Sequence, residues 1–328
     1  MAPSDARLVE AVLGKPGNEQ RRAIAKVITL LESTRDDHRE RADAVLNALI
    51  PHSGRAFRIG VSGIPGAGKS TFIEALGLFL VARNERVAVL AVDPSSSVGG
   101  GSILGDKTRM ERLSVHEHAF IRPSPTSGTL GGVADRTRES IRVSEAAGYS
   151  IVIVETVGVG QSEAAVSGMT DLFVLLQLPN AGDDLQAIKR GVTELADLVV
   201  INKSDLDENA AVRAKDTVAK ATMLMARKSA SAWCPEVLQA SALVGTGLSE
   251  FWEAASRFWK VQVESGAFEA RRNAQDQAWM WERIDAGLRE RFRRHPAVRS
   301  ALPAISEDIR QGKIAPCAAA RYLLDLLQ

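Results

Sequence analysis

Cysteine is nearly absent: Cys234 and Cys317 are the only two in 328 residues. Two thiols cannot build a disulfide framework or a multi-cysteine metal site, and such sparing use points to a reducing compartment. No run of about 18 uncharged apolar residues occurs, which argues against a membrane span. The first ten residues carry Asp5 and Glu10 and lack an apolar stretch of signal-peptide length, so a cytoplasmic protein with no membrane partner is expected. Charge of one sign is missing too. With 41 Lys and Arg against 40 Asp and Glu, the net +1 leaves no basic surplus for neutralising a nucleic-acid backbone. Arg271-Arg272 and the arginines of 289–294 read as solvated or interface faces of helices. The five histidines, His38, His52, His116, His118 and His295, are scattered without a Cys-x-x-Cys or a His-rich tract. Each reads as a surface or capping residue, although His116 and His118 could share a strand face.

What is present is enough apolar material, 45% of the chain, for one large core and a smaller attachment. Leu8, Val12, Ile24, Val27, Ile28, Leu31, Val45 and Leu49 are spaced for amphipathic helices, interrupted at Gly14-Lys15-Pro16-Gly17, so 1–56 reads as a helical extension. From 57 to 264 apolar runs alternate with helical patterns. Strands are expected at 57–62, 86–93, 119–122, 150–155, 171–178, 197–202 and 237–240, which predicts an α/β domain with a mostly parallel sheet flanked by helices. From about 265 to 328 the pattern becomes helical and charged, with Trp279, Trp281, Ile284, Leu288 and Phe292 spaced for a packed interface. That stretch must fold back on the preceding domain or pair with a second copy.

Gly63-Ile64-Pro65-Gly66-Ala67-Gly68-Lys69-Ser70 is a complete GxxxxGK[ST] loop, preceded by a strand pattern and followed, from Thr71, by a helix start. Its glycines let backbone N–H groups converge on phosphate, the helix contributes the positive end of its dipole, and Lys69 supplies a point charge. Further on, Asn202-Lys203-Ser204-Asp205 follows another apolar run. The Asp205 carboxylate can accept two hydrogen bonds from guanine, from N1–H and the exocyclic amine, which adenine does not offer in that arrangement. Asn202 would tie loops together and the Lys203 stem would lie along the base. Ser241-Ala242-Leu243 reads either as a small loop closing the guanine pocket or as a plain strand end. The pair of motifs points to GTP and GDP as ligands.

Phosphoryl transfer from a triphosphate calls for magnesium and for groups that sense the γ-phosphate. Ser70 is placed to put its hydroxyl on Mg²⁺. Asp93, at the end of a strand, is a second candidate, or else a turn former before Pro94. Asp106 is a third, or else a helix cap opening Asp-Lys-Thr-Arg. Glu155 and Gly158 stand at the DxxG spacing with Glu in place of Asp; the carboxylate can meet magnesium through water and the Gly158 N–H can bind phosphate. Lys69, Asp93, Asp106, Glu155 and Gly158 form the expected catalytic set. Val159 occupies the position where Ras-like enzymes place a water-orienting glutamine, so slow intrinsic turnover is expected, with Gln161 two residues beyond. Gly182, Asp183, Asp184, Gln186 and Lys189 follow the next strand and could relay γ-phosphate status to a partner, or form an ordinary capped helix start.

With these residues laid out, the chain resembles the MeaB/ArgK/MMAA group of P-loop GTPases, chaperones of adenosylcobalamin-dependent methylmalonyl-CoA mutase. The resemblance spans most of the chain and rests on the phosphate loop, Asp93-Pro94-Ser95-Ser96-Ser97, Gly105 to Met110, Glu155-Thr156-Val157-Gly158-Val159-Gly160-Gln161-Ser162-Glu163, Gly182 to Lys189 and Asn202 to Asp205. Gly312 to Pro316 also looks like the group's C-terminal segment. The resemblance implies a homodimer with helical extensions and GTP hydrolysis stimulated by the mutase. It further implies that nucleotide state gates cobalamin loading and protects the mutase, with no cobalamin held by this chain itself. It places Asp93, Asp106 and Glu155 at magnesium and switch positions and Gly182 to Lys189 in a switch coupled to the mutase. Nickel-inserting GTPases are the runner-up, but lack their ligands here. A small-molecule kinase or ATPase would keep the phosphate loop with no reason to carry Asp205.

Overall fold

The computed structural model describes residues 1–33, 35–92, 110–122, 130–156, 162–180, 190–226 and 233–327. They form two compact units, Met1–Arg271 and Arg272–Gln328. In the first, the strands are β1 Phe57–Gly63, β2 Val87–Val92, β3 Ala119–Arg122, β4 Ile151–Thr156, β5 Leu172–Gln177, β6 Leu198–Ile201 and β7 Glu236–Gln239. Each falls on one of the runs expected from sequence. They make one sheet, ordered β3-β2-β4-β1-β5-β6-β7, and each ladder between named strands is parallel.

Parallel strands need crossovers on the sheet faces, so both faces become buried and the strands turn nearly continuously apolar. β1, β4, β5 and β6 are buried at every residue. One face carries Ile59, Val61, Val89, Ile153, Val174 and Val200 and is covered by α4 Lys69–Val81, α5 Glu111–Ser114 and, further along the chain, the helix Leu248–Glu264. Phe72 and Phe251 meet edge-on across that layer, their centroids 5.2 Å apart. Gly77 is needed beneath α5, since a Cβ there would stand 2.4 Å from the Leu113 side chain.

The opposite face carries Ala88, Leu90, Phe120, Val152, Val154, Phe173, Leu175 and Val199. It shares one core with α1 Pro3–Val12, α2 Asn18–Glu32 and α3 Asp36–Leu49, so the N-terminal helices are built into the domain. Among the described residues, α6 Leu130–Ala146, α7 Ser162–Ser167, α8 Arg190–Leu195 and α9 Glu208–Ala226 are the helices between β3 and β7, and α10 is Leu248–Glu264. Gln20 is the polar key of the N-terminal join. Its amide donates to the carbonyls of Val12, Gly14 and Ala147 at 2.8, 3.0 and 2.9 Å, and its carbonyl accepts from Arg86 at 2.8 Å. Arg122 and Glu32 pair at 2.6 Å on the same side. Beneath β1, Arg58 and Glu145 form a buried ion pair at 2.7 Å.

The Arg272–Gln328 unit is helical, made from the later part of α11 Ala267–Arg294 with α12 Pro296–Arg310 and α13 Pro316–Asp325. Val298, Ala319 and Leu323 are buried in it, while Met280, Trp281, Ile284 and Leu288 on α11 stand exposed. Among the described residues no helix is long and apolar enough to cross a membrane.

Candidate nucleotide site

In a doubly wound sheet, ligands bind beyond the carboxyl ends of the strands where the winding reverses. That point here is β1, flanked by β4 on one side and β5 on the other. β1 ends in Gly63, Ile64–Gly68 turn, and α4 begins at Lys69. Gly66 and Gly68 adopt φ of 82° and 85°, which side chains disfavour, and this lets successive loop amides turn toward one centre. Gly63 lies so close to β5 that a Cβ would meet the Leu176 carbonyl at 2.5 Å. The Lys69 ammonium donates to the carbonyls of Gly63 and Ile64 at 2.8 and 3.3 Å, which holds it over the loop's own entrance. Pro65, Gly66 and Thr71 are exposed.

Next along the site, Ser70 Oγ donates to Glu155 Oε1 at 2.8 Å. Glu155 is buried at the end of β4, in register with Val61 of β1 and Ala91 of β2. A hydroxyl and a carboxylate side by side are hard oxygen donors, the set that suits Mg²⁺.

The motif expected to read the base, Asn202 to Asp205, follows β6. Asn202, itself buried, donates from Nδ2 to the Ala67 carbonyl at 2.8 Å and accepts from the Ala242 amide at its Oδ1, 3.2 Å away. It therefore stitches the phosphate loop to the loop after β7. A Cβ on Gly68 would strike that amide at 2.7 Å and would stand 3.7 Å from Lys203 Cε, so the Lys203 stem runs along the phosphate loop. Lys203 holds φ of 60°, an uncommon value for a side-chain-bearing residue and a strain that the surrounding bonds must hold. The Ser204 amide donates to the Ala240 carbonyl at 3.1 Å. Ser241 pairs with Thr246 in an isolated antiparallel bridge, so the segment around Ala242 and Leu243 is a tight loop standing beyond the strand end. Asp205 and Leu243 are exposed there.

Asp93, Asp106, Gly158, Val159 and Gln161, and the Gly182, Asp183, Asp184, Gln186 and Lys189 segment, lie outside the described residues. His116 and His118 sit in the turn before β3 instead of on a strand, their ring centroids 5.7 Å apart, with the His118 amide donating to His116 Nδ1. Among the described residues no group of three or more His, Cys, Asp or Glu is placed to hold a metal.

Two features escaped the sequence reading. Thr156 Oγ1 donates to Ser62 Oγ at 3.0 Å, joining β4 to β1 just before the phosphate loop. Glu74, one turn into α4 from Ser70, accepts from the Arg112 amide at 2.9 Å and so holds the start of α5. Helical spacing from Ser70 could have flagged Glu74; the hydroxyl pair has no sequence signature.

Residues 24–297 match the family model described as "Methylmalonyl Co-A mutase-associated GTPase MeaB". The chain belongs to the MeaB family. It is a GTPase of that family, and its relatives agree. A probable GTPase of Mycobacterium tuberculosis is 49% identical over 93% of this chain and 91% of its own length. The mitochondrial methylmalonic aciduria type A homolog of Mus musculus is 43% identical over 99% of this chain and 80% of its own. Among solved structures, one titled as a LAO/AO transport system kinase superposes with a TM-score of 0.77 at 33% identity, covering 100% of this MeaB-family chain and 99% of that one.

Proposed function

We propose that the chain hydrolyses GTP to GDP and phosphate in the pocket between β1 and β6, and uses the cycle as a chaperone of an adenosylcobalamin-dependent methylmalonyl-CoA mutase. The observation that carries the pocket is the Asn202 bridge, because it brings the phosphate loop and the guanine-reading motif to one cavity edge. The loop amides of 63–71 and Lys69 hold the phosphates, and Asp205 with Ala242 and Leu243 reads guanine. Ser70 and Glu155, with Asp93 and Asp106, would hold magnesium, which when bound neutralises charge on the phosphate oxygens. Gly158 offers its amide to the γ-phosphate. With Val159 after it, nothing at that position orients water, so the isolated protein turns over slowly and a partner accelerates it.

The mutase assignment is supported by the family description, which names methylmalonyl-CoA mutase. Gly182 to Lys189 is the segment assigned to that partner. Trp281, Ile284 and Leu288 recur at helical spacing on α11 and are exposed, a stripe that fits pairing with a second copy, so 265–328 serves as the dimerisation extension. The chain works in the cytoplasm and handles the mutase without holding cobalamin itself.

The test is GTP hydrolysis by the purified protein with and without mutase carrying or lacking its cofactor. Stimulation of tenfold or more by the mutase is expected, with ATP hydrolysed far more slowly than GTP. A fast rate that mutase leaves unchanged would refute the partner assignment while leaving the GTPase intact.

A further inference from the structure

Val61 and Glu155 are register partners on β1 and β4, so the next residues, Ser62 and Thr156, lie side by side with their side chains on the other face of the sheet. On the α4 face, Glu155 is bound to Ser70 at 2.8 Å. On the opposite face, the Thr156 hydroxyl donates to the Ser62 hydroxyl at 3.0 Å, and neither residue has any exposed surface. Val154 precedes Thr156 on that face and Leu175 pairs with Ser62 from β5, so the hydroxyls sit against aliphatic core. Two buried hydroxyls stabilise a core less than aliphatic side chains of the same shape, and they tolerate no loss of either partner. Their placement is informative. Ser62 is followed by Gly63 of the phosphate loop, and Thr156 lies between Glu155 and Val157-Gly158.

We propose that Ser62 and Thr156 are a positioning pair for hydrolysis. They lock the end of β4 against the entrance of the phosphate loop, so that Glu155 stays beside Ser70 and the chain leaves toward Gly158 from a fixed origin. The end of β4 is held from both faces, by Glu155 to Ser70 of α4 on one and by Thr156 to Ser62 of β1 on the other. Nucleotide binding rests on the loop itself, whereas the rate rests on the relative placement of the two ends. This proposal depends on the pocket being the site of GTP hydrolysis.

The experiment uses the full chain with GDP affinity by calorimetry, single-turnover GTP hydrolysis and thermal midpoint. Thr156→Val keeps the shape and removes the donor; it should slow single-turnover hydrolysis about tenfold, the effect of one lost positioning hydrogen bond, while GDP affinity stays within about twofold. Thr156→Ser, which keeps the hydroxyl, should recover most of the rate. Ser62→Ala should match Thr156→Val, and the double variant should be no slower than either single one. Ser62→Ala also carries the test if Thr156→Val does not fold. A lowered midpoint with an unchanged rate would reduce the pair to core packing and overturn the proposal, as would GDP affinity falling in step with the rate. Lys69→Ala separates the two levels: hydrolysis surviving that change would refute the site itself, whatever Thr156 does.

Discussion

At the phosphate edge of the pocket a Cβ on Gly63 would stand 2.5 Å from the Leu176 carbonyl and one on Gly68 2.7 Å from the Asn202 amide. At the proposed base edge, Asp205 stands in solvent, as do Leu206 and Leu243, 75% and 83% exposed. The first edge is backbone, fixed when the sheet folds. The second is a side chain whose desolvation is settled only when a base arrives. On the proposed reading, affinity and selectivity are written in different materials: the anion would meet pre-aimed dipoles, while guanine would be chosen by what happens to an unpaired carboxylate.

Breaking the phosphate edge should have the largest effect. Lys69→Ala should lower GTP hydrolysis by about 10³-fold, the scale of losing a charge-stabilising donor, and single-turnover kinetics would reveal it. Gly63→Ala should cost about 3 kcal/mol of stability in urea unfolding, because the obstructing atom is backbone and cannot swing aside. Breaking the base edge should redirect binding instead of abolishing it. In Asp205→Asn the amide presents a donor where guanine also donates, so GTP affinity should fall on the order of 10²-fold and xanthosine triphosphate should bind better than GTP. Calorimetry with both nucleotides decides it, and unchanged GTP preference would remove Asp205 from the base site.

Asn202 belongs to both edges. Asn202→Ala should weaken GDP and GTP alike and lower stability by about 2 kcal/mol, since it strands the Ala67 carbonyl and the Ala242 amide. A change confined to one edge would show that the two are independent.

The smallest effect lies at the far end of β6. Burial pushes the Asp197 carboxyl above its usual range, and nearby Asp171 adds to this, while Arg271 and the Phe173 amide hold it down. The folded chain then binds more protons than the unfolded one just above pH 4, so this group makes stability fall as pH rises through that window. Asp197→Asn should flatten that slope in urea midpoints taken across it and leave nucleotide affinity untouched.

The seven strands were legible because a doubly wound sheet buries both faces and each strand reads as an apolar run between helical patterns. The phosphate loop was equally legible, since its glycines are demanded by backbone geometry at Gly66 and Gly68. Sheet order was not, for Val, Ile and Leu runs are interchangeable as strings. Nor was the seat of Gln20, whose partners at Val12 and Gly14, Arg86 and Ala147 come from three separate stretches of chain. Ser62 closed one expected strand and Thr156 lay just past the end of another; only register makes them neighbours.

The shared core of α1 to α3 with β2, β3 and β4 carries one more implication. A chain cut back to begin at Phe57 would strip α2 and α3 from the outer side of α6 and leave an apolar flank prone to self-association. Engineers who wish to graft this nucleotide switch elsewhere must transplant its helical prelude with it, Gln20 included.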